Sequence, residues 1–219
     1  MAILNSLDEL LYSVMSWLIF YPLTLWRTLR NPLQMMDYAH RELGDSEDQQ
    51  YTDTVSPPLF LLISVLLAHG MELAFVGDSP LVRSTHGIDA LISDDTSLIL
   101  FRLFMFSIFS LIMATWMLRR RKTALAHDRL KQPFYSQCYV AAPFALLLSI
   151  SATFAHFPGE WPALATVAIM VVAFAWYLTV QTRWFARELR IPAWRGFLNA
   201  LFATGLAMVI LALATPFLI

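Results

Sequence analysis

Residues 57–76 read Pro57-Pro58-Leu59-Phe60-Leu61-Leu62-Ile63-Ser64-Val65-Leu66-Leu67-Ala68-His69-Gly70-Met71-Glu72-Leu73-Ala74-Phe75-Val76. The run is apolar apart from Ser64, His69 and Glu72. A helix rises about 1.5 Å per residue, so about 20 apolar residues cross a hydrocarbon core roughly 30 Å thick. Inside lipid every backbone N–H and C=O must find a partner, and a helix supplies those partners within one segment. Pro57 and Pro58 suit the first turn, where the N–H groups have no helical acceptor. The stretch therefore reads as a transmembrane helix.

Four further stretches meet the same criterion. They run from about Leu98 to Leu118, Phe134 to Phe157, Trp161 to Val180, and Phe197 to Phe217. The fold class that follows is all-α: a polytopic membrane bundle of five transmembrane helices, preceded by an amphipathic N-terminal helix. Composition agrees. The 219 residues are 58% hydrophobic and only 14% charged, whereas soluble domains carry about 25% charged residues. A net charge of -1 gives no bulk attraction for nucleic acid. The single cysteine, Cys138, excludes an internal disulfide framework.

Three regions are read along the chain: an N-terminal helix over 1–30, a polar cytoplasmic segment over 31–56, and the bundle over 57–219. Before the first basic residue the chain already carries Asp8 and Glu9, unlike the basic start of a signal peptide, so the first apolar stretch is expected to be retained. From Leu4 to Trp26, Ser6, Glu9, Ser13 and Ser16 form a narrow polar stripe among leucines, interrupted by Pro22. Trp17, Tyr21 and Trp26 favour headgroup depth. An interfacial or partly re-entrant helix is expected, with a sixth span as the alternative. Within the polar segment, Pro32 to Leu43 is expected to form a short helix offering Met35, Met36 and Tyr38 to the membrane interface. The acidic run Gly44 to Gln50 lacks the spacing of a calcium-binding loop and reads as solvated.

Basic residues sort by side. Arg119, Arg120, Arg121, Lys122, Arg129 and Lys131 follow the second span, and Arg183, Arg187, Arg190 and Arg195 follow the fourth. Arg27, Arg30 and Arg41 precede the first. The intervening loops have Arg83 against Asp78, Asp89, Asp94 and Asp95, and the short Phe157-Pro158-Gly159-Glu160 turn. Positive loops stay in the cytoplasm. The amino end is therefore expected in the cytoplasm and the carboxyl end opposite, in what we expect to be a bacterial inner membrane. The Arg119 to Lys122 cluster sets topology, and it could also engage anionic lipid.

Ionisable residues inside a span are costly and become candidates for function. His69, Glu72 and Arg102 are the clearest. At about 1.5 Å per residue Glu72 lies about 22 Å above Pro57, and Arg102 lies about 6 Å below Leu98. Both fall in the outer third, so a Glu72–Arg102 ion pair is expected, with His69 one turn below Glu72. Such a group could serve ion or proton transfer, or neutralise itself and fix helix register. His69, His86 and His156 lack the spacing of a metal site, and no metal or cofactor is expected. Ala141, Ala145, Ser149 and Thr153 recur at intervals of four, as do Gly196, Ala200 and Thr204. Small residues so spaced let helices approach closely in lipid. Pro143 is expected to bend the third span.

No nucleophile elbow, zinc-protease motif, phosphate loop or dinucleotide fingerprint is present, and a non-enzymatic role is expected. The chain also carries Trp26-Arg27-Thr28-Leu29-Arg30-Asn31-Pro32, then a polar stretch, then Ser56-Pro57-Pro58-Leu59-Phe60 opening the first span. An Asn-Pro ahead of a Pro-x-Leu-Phe helix start, with five closely spaced spans, resembles the Yip1-domain superfamily from about Pro22 onward. The amphipathic N-terminal helix and the basic second loop depart from that family's pattern. The resemblance implies a membrane protein that works through partners, and it transfers no functional residues. The partners expected are membrane lipids and either a second copy of the chain or another membrane protein. The alternative is a small transporter or channel using His69, Glu72 and Arg102.

Overall fold

A chain that must satisfy its backbone inside lipid has helices as its simplest solution, and the computed structural model is built of them. It describes residues 2–46, 49–77 and 95–214. The helices are α1 (Ala2–Arg30), α2 (Pro32–Glu42), α3 (Pro57–Val76), α4 (Asp95–Arg120), α5 (His127–Phe154), α6 (Glu160–Leu189) and α7 (Ala193–Ala214). Five of them, α3 to α7, are long and apolar enough to cross a membrane. The protein is an all-α membrane bundle. Asp78, Arg83, His86, Asp89, Asp94, Glu47, Asp48 and Phe217 lie outside the described residues, as do the side chains of Ser6, Glu9, Ser13 and Asp95.

The hub is α5. It packs on α2, α3, α4 and α6, and α7 closes the bundle against α6 and α4. Its sequence explains this position. Cys138, Tyr139, Val140, Ala141, Ala142, Phe144 and Ala145 are all buried, so the helix is enclosed on every side at mid-length. Small residues let neighbours approach from several directions. Pro133 and Pro143 both lie within α5, which continues as one helix through them.

The ends of the helices differ from the apolar stretches. α3 coincides with its apolar run, with Ser56 as N-cap and Pro57 leading. By contrast α5 starts at His127 and α6 continues to Leu189, well outside their apolar spans. Hydropathy marks where a helix leaves lipid, not where its hydrogen bonding stops. The extensions persist because they pack. Trp184 and Phe185 on α6 and Pro133 on α5 are buried, and just inside the α5 span the Ser136 hydroxyl donates to the Met36 carbonyl at 2.8 Å.

That contact belongs to α2, which is a helix as expected but faces elsewhere. Met35, Met36 and Ala39 are buried in the bundle rather than offered to the interface. The amphipathic spacing was legible in the sequence. What it leaves open is whether the apolar face meets lipid or protein, and the extended ends of α5 and α6 supply protein.

α1 runs unbroken through Pro22 for 29 residues. It covers the N-terminal helix expected over 1–30 as one continuous element. Tyr21, Thr24 and Thr28 are buried at helical spacing against the bundle, while Met15, Leu18, Ile19 and Trp26 are exposed. An apolar exposed face on an amphipathic helix is what a membrane boundary stabilises.

Candidate functional site

The buried residues of α3 are Pro57, Phe60, Leu61, Ser64, Val65, Ala68, His69 and Glu72. They recur every three or four positions, so they form one face of the helix. α3 is apolar all round, yet its few polar side chains lie on this inner face. Burial rather than lipid contact is the cheaper location for a group that needs a polar partner.

Glu72 finds that partner in Arg102 on α4, which packs alongside α3. An Arg102 Nη2 hydrogen donates to Glu72 Oε2. The two side chains are 16% and 8% exposed for Arg102 and Glu72 respectively. An isolated charge here would carry a large desolvation cost, and the opposite charge offsets much of it. His69 lies one turn below on the same buried face, 3% exposed. Arg102 Nη1 is buried without a hydrogen-bond partner among the described residues. The structure thus brings Glu72 and Arg102 into contact and places His69 on their face of α3. His156 sits apart, exposed at the end of α5, with Nδ1 2.9 Å from the Ala152 carbonyl. Among the described residues no three His, Cys, Asp or Glu side chains gather as a metal site.

A second polar system lies at the opposite end of α3. The Arg27 guanidinium meets Asp53 at 2.9 Å, and the Tyr38 hydroxyl donates to the same carboxylate at 2.5 Å. The Thr54 hydroxyl donates to the Tyr38 oxygen at 3.2 Å. The Tyr139 hydroxyl donates to the Val55 carbonyl at 3.0 Å, and the Val55 N–H donates to the Thr24 hydroxyl at 3.1 Å. These bonds tie α1, α2 and the entry to α3 onto α5. Burial works to raise the Asp53 pKa, but the Tyr38 hydrogen bond and the Arg27 charge outweigh it, and the carboxyl is held below its usual range. Tyr38 moves the other way: burial, with Asp53 beside it, pushes its hydroxyl up.

Between the two polar systems stands Phe60, fully buried. Its ring centroid is 5.2 Å from that of Tyr21 and 5.8 Å from that of Tyr139. Above it Tyr21 and Ser64 share a hydrogen bond of 2.9 Å, and Leu61, Val65 and Ala68 fill the face up to His69. The polar groups near Asp53 are spent on joining segments, and an apolar layer follows them.

The small-residue faces are used inside the bundle. Ala141, Ala145 and Thr153 are buried, with Ser149 half-buried. Ala200 and Thr204 are buried as well, together with Ala203 and Ala207. Gly196 sets the closest approach. A Cβ there would lie 2.6 Å from the Thr182 carbonyl oxygen and 3.0 Å from the Ala186 Cβ. One buried pair has no forerunner in the sequence reading: Gln137 and Gln181 exchange reciprocal amide hydrogen bonds of 3.0 and 2.6 Å. Each amide lies at the margin of an apolar run, where it reads as the end of a span.

The basic residues of the two loops divide. Arg121 pairs with Glu188 across the α4–α6 junction, and Arg187 grips Asp37 through two bonds of 2.8 and 2.5 Å. Arg119 and Arg120 are exposed at the end of α4. Lys122 follows with φ 53, a left-handed residue of the kind that ends a helix. Some of these basic residues are thus clasps between helices. The chain matches no protein-family model, no curated protein and no solved structure.

Proposed function

We propose that this protein is a non-enzymatic membrane bundle that acts by association, as a homo-oligomer or as an accessory subunit of a larger membrane complex. The reading includes the Yip1-like resemblance, a bacterial inner membrane, and an amino end in the cytoplasm with the carboxyl end opposite. The observation that carries it is the disposition of the intramembrane charges. Glu72 and Arg102 neutralise each other, and the polar groups on the other side of Phe60 are occupied in joining α1, α2 and α5. A pair of this kind fixes the register of two helices. Lipid cannot drive helices together by hydrophobicity, so contacts between chains in a membrane rest on packing and polar pairs.

The competing reading is a small transporter that uses His69, Glu72 and Arg102. What favours it is the buried Nη1 of Arg102, which has no partner among the described residues. Proton and solute flux into liposomes carrying the purified protein separates the two. The association reading predicts the leak of empty liposomes, unchanged in Glu72→Gln. Flux that Glu72→Gln abolishes, with the protein's assembly intact, would establish the transporter instead.

A further inference from the structure

We propose that the groove between the end of α4 and the start of α7 binds one anionic phospholipid. The groove has a volume of about 790 Å³ and no acidic side chain in its lining. Its two cations come from different helices, Arg120 from α4 and Arg195 from α7. Neither makes an ion pair among the described residues, whereas Arg27, Arg121 and Arg187 each hold a carboxylate. The groove therefore keeps two uncompensated guanidiniums, and a phosphate diester is the acceptor that their forked geometry fits.

Depth and shape narrow the ligand to a lipid. Arg120 lies over the Trp116 ring at 4.9 Å and Arg195 over the Trp194 ring at 5.0 Å. Tryptophan favours the level of the headgroups. Trp116 is fixed there because its Nε1–H donates to Asn199 Oδ1 at 3.1 Å, and Asn199 in turn donates to the Arg195 carbonyl at 2.8 Å. Away from the cations the wall becomes apolar. Leu198, Leu201 and Phe202 are exposed, and the Phe202 ring lies 4.7 Å from that of Trp116. One molecule that offers a phosphate to the arginines and a hydrocarbon chain to this wall is an anionic phospholipid. A zwitterionic lipid fits less well because its ammonium meets the same two cations.

The test uses the full chain in neutral detergent, titrated with short-chain phosphatidylglycerol and with phosphatidylcholine of equal chain length. Phosphatidylglycerol should bind more tightly. At about 1 kcal/mol for each basic residue, Arg120→Gln/Arg195→Gln should weaken it about 30-fold. Arg119→Gln/Lys122→Gln removes the same charge outside the groove and should leave binding unchanged. Equal affinity for the two lipids, or equal losses in the two double variants, would overturn the site. A second measurement needs no charge variant. Phosphatidylglycerol brominated in its chains should quench the wild type more than Trp194→Phe, and quenching that Trp194→Phe leaves unaltered would overturn the site as well.

Discussion

At the scale of single residues, the Glu72–Arg102 pair makes a sharp statement about energy. Removing one charge strands the other in a buried site, which costs about 3–5 kcal/mol, while replacing both costs far less. Glu72→Gln and Arg102→Gln should each destabilise the bundle by about that much, and the double variant should recover most of the loss. A double-mutant cycle on unfolding in mixed micelles reads this directly; additive losses would mean that the pair is not coupled. Asp53 gives a pH dependence. Its folded pKa is lowered, so its contribution is present above the unfolded value of about 3.9 and is lost as pH falls through the folded pKa. Acid should therefore release α1 and α2 from α5, and Asp53→Asn should remove that part of the acid sensitivity; exchange of the α2 amides with deuterium would follow both. The first of these sites was legible in the sequence because a carboxylate and a guanidinium in apolar runs at matched depths need each other. The second was not. Arg27, Tyr38, Asp53 and Thr54 each look like ordinary polar chain, and only the fold brings them to one point.

At the scale of helices, the contact of α6 with α7 rests on Gly196. Gly196→Ala places a methyl against the Thr182 backbone, which cannot move aside as a side chain can. We expect a loss of about 1–3 kcal/mol from overpacking. Gly205, in the same helix, faces open space: a Cβ added there would meet nothing within 4 Å. Gly205→Ala should be neutral or gain up to about 1 kcal/mol of helix propensity. Thermal unfolding of the two variants side by side checks the contrast, and equal effects would remove the argument for close approach. The motif was visible as small residues at intervals of four, but its partner on α6 was not, since Thr182 and Ala186 contribute a backbone oxygen and a methyl. α2 carries the same lesson. Met36→Cys should resist a water-soluble maleimide in the folded protein, because Met36 is buried, while Arg41→Cys, exposed at the end of the same helix, should react. Sequence periodicity identifies an apolar face, and only the neighbouring helix ends decide whether lipid or protein covers it.

At the scale of the molecule, five spanning helices follow from apolar length alone, which is why this part of the fold could be read before any packing was known. The packing order could not. α5 becomes the hub through the small and aromatic side chains of residues 138–145, a property that hydropathy does not separate from lipid-facing sequence. The side of the membrane rests on the basic loops, and it is open to a direct check. With Cys138 replaced by Ser, cysteines at Arg119 and Phe157 should label from opposite faces, Arg119 from the cytoplasm. Labelling of both from one face would contradict the proposed topology. The association reading makes the strongest claim, and the mass of the intact particle extracted in native lipid discs tests it most directly. Association requires more than one protein chain per particle, either a whole multiple of this chain or a stoichiometric foreign subunit. A particle holding one copy and no other protein would contradict it.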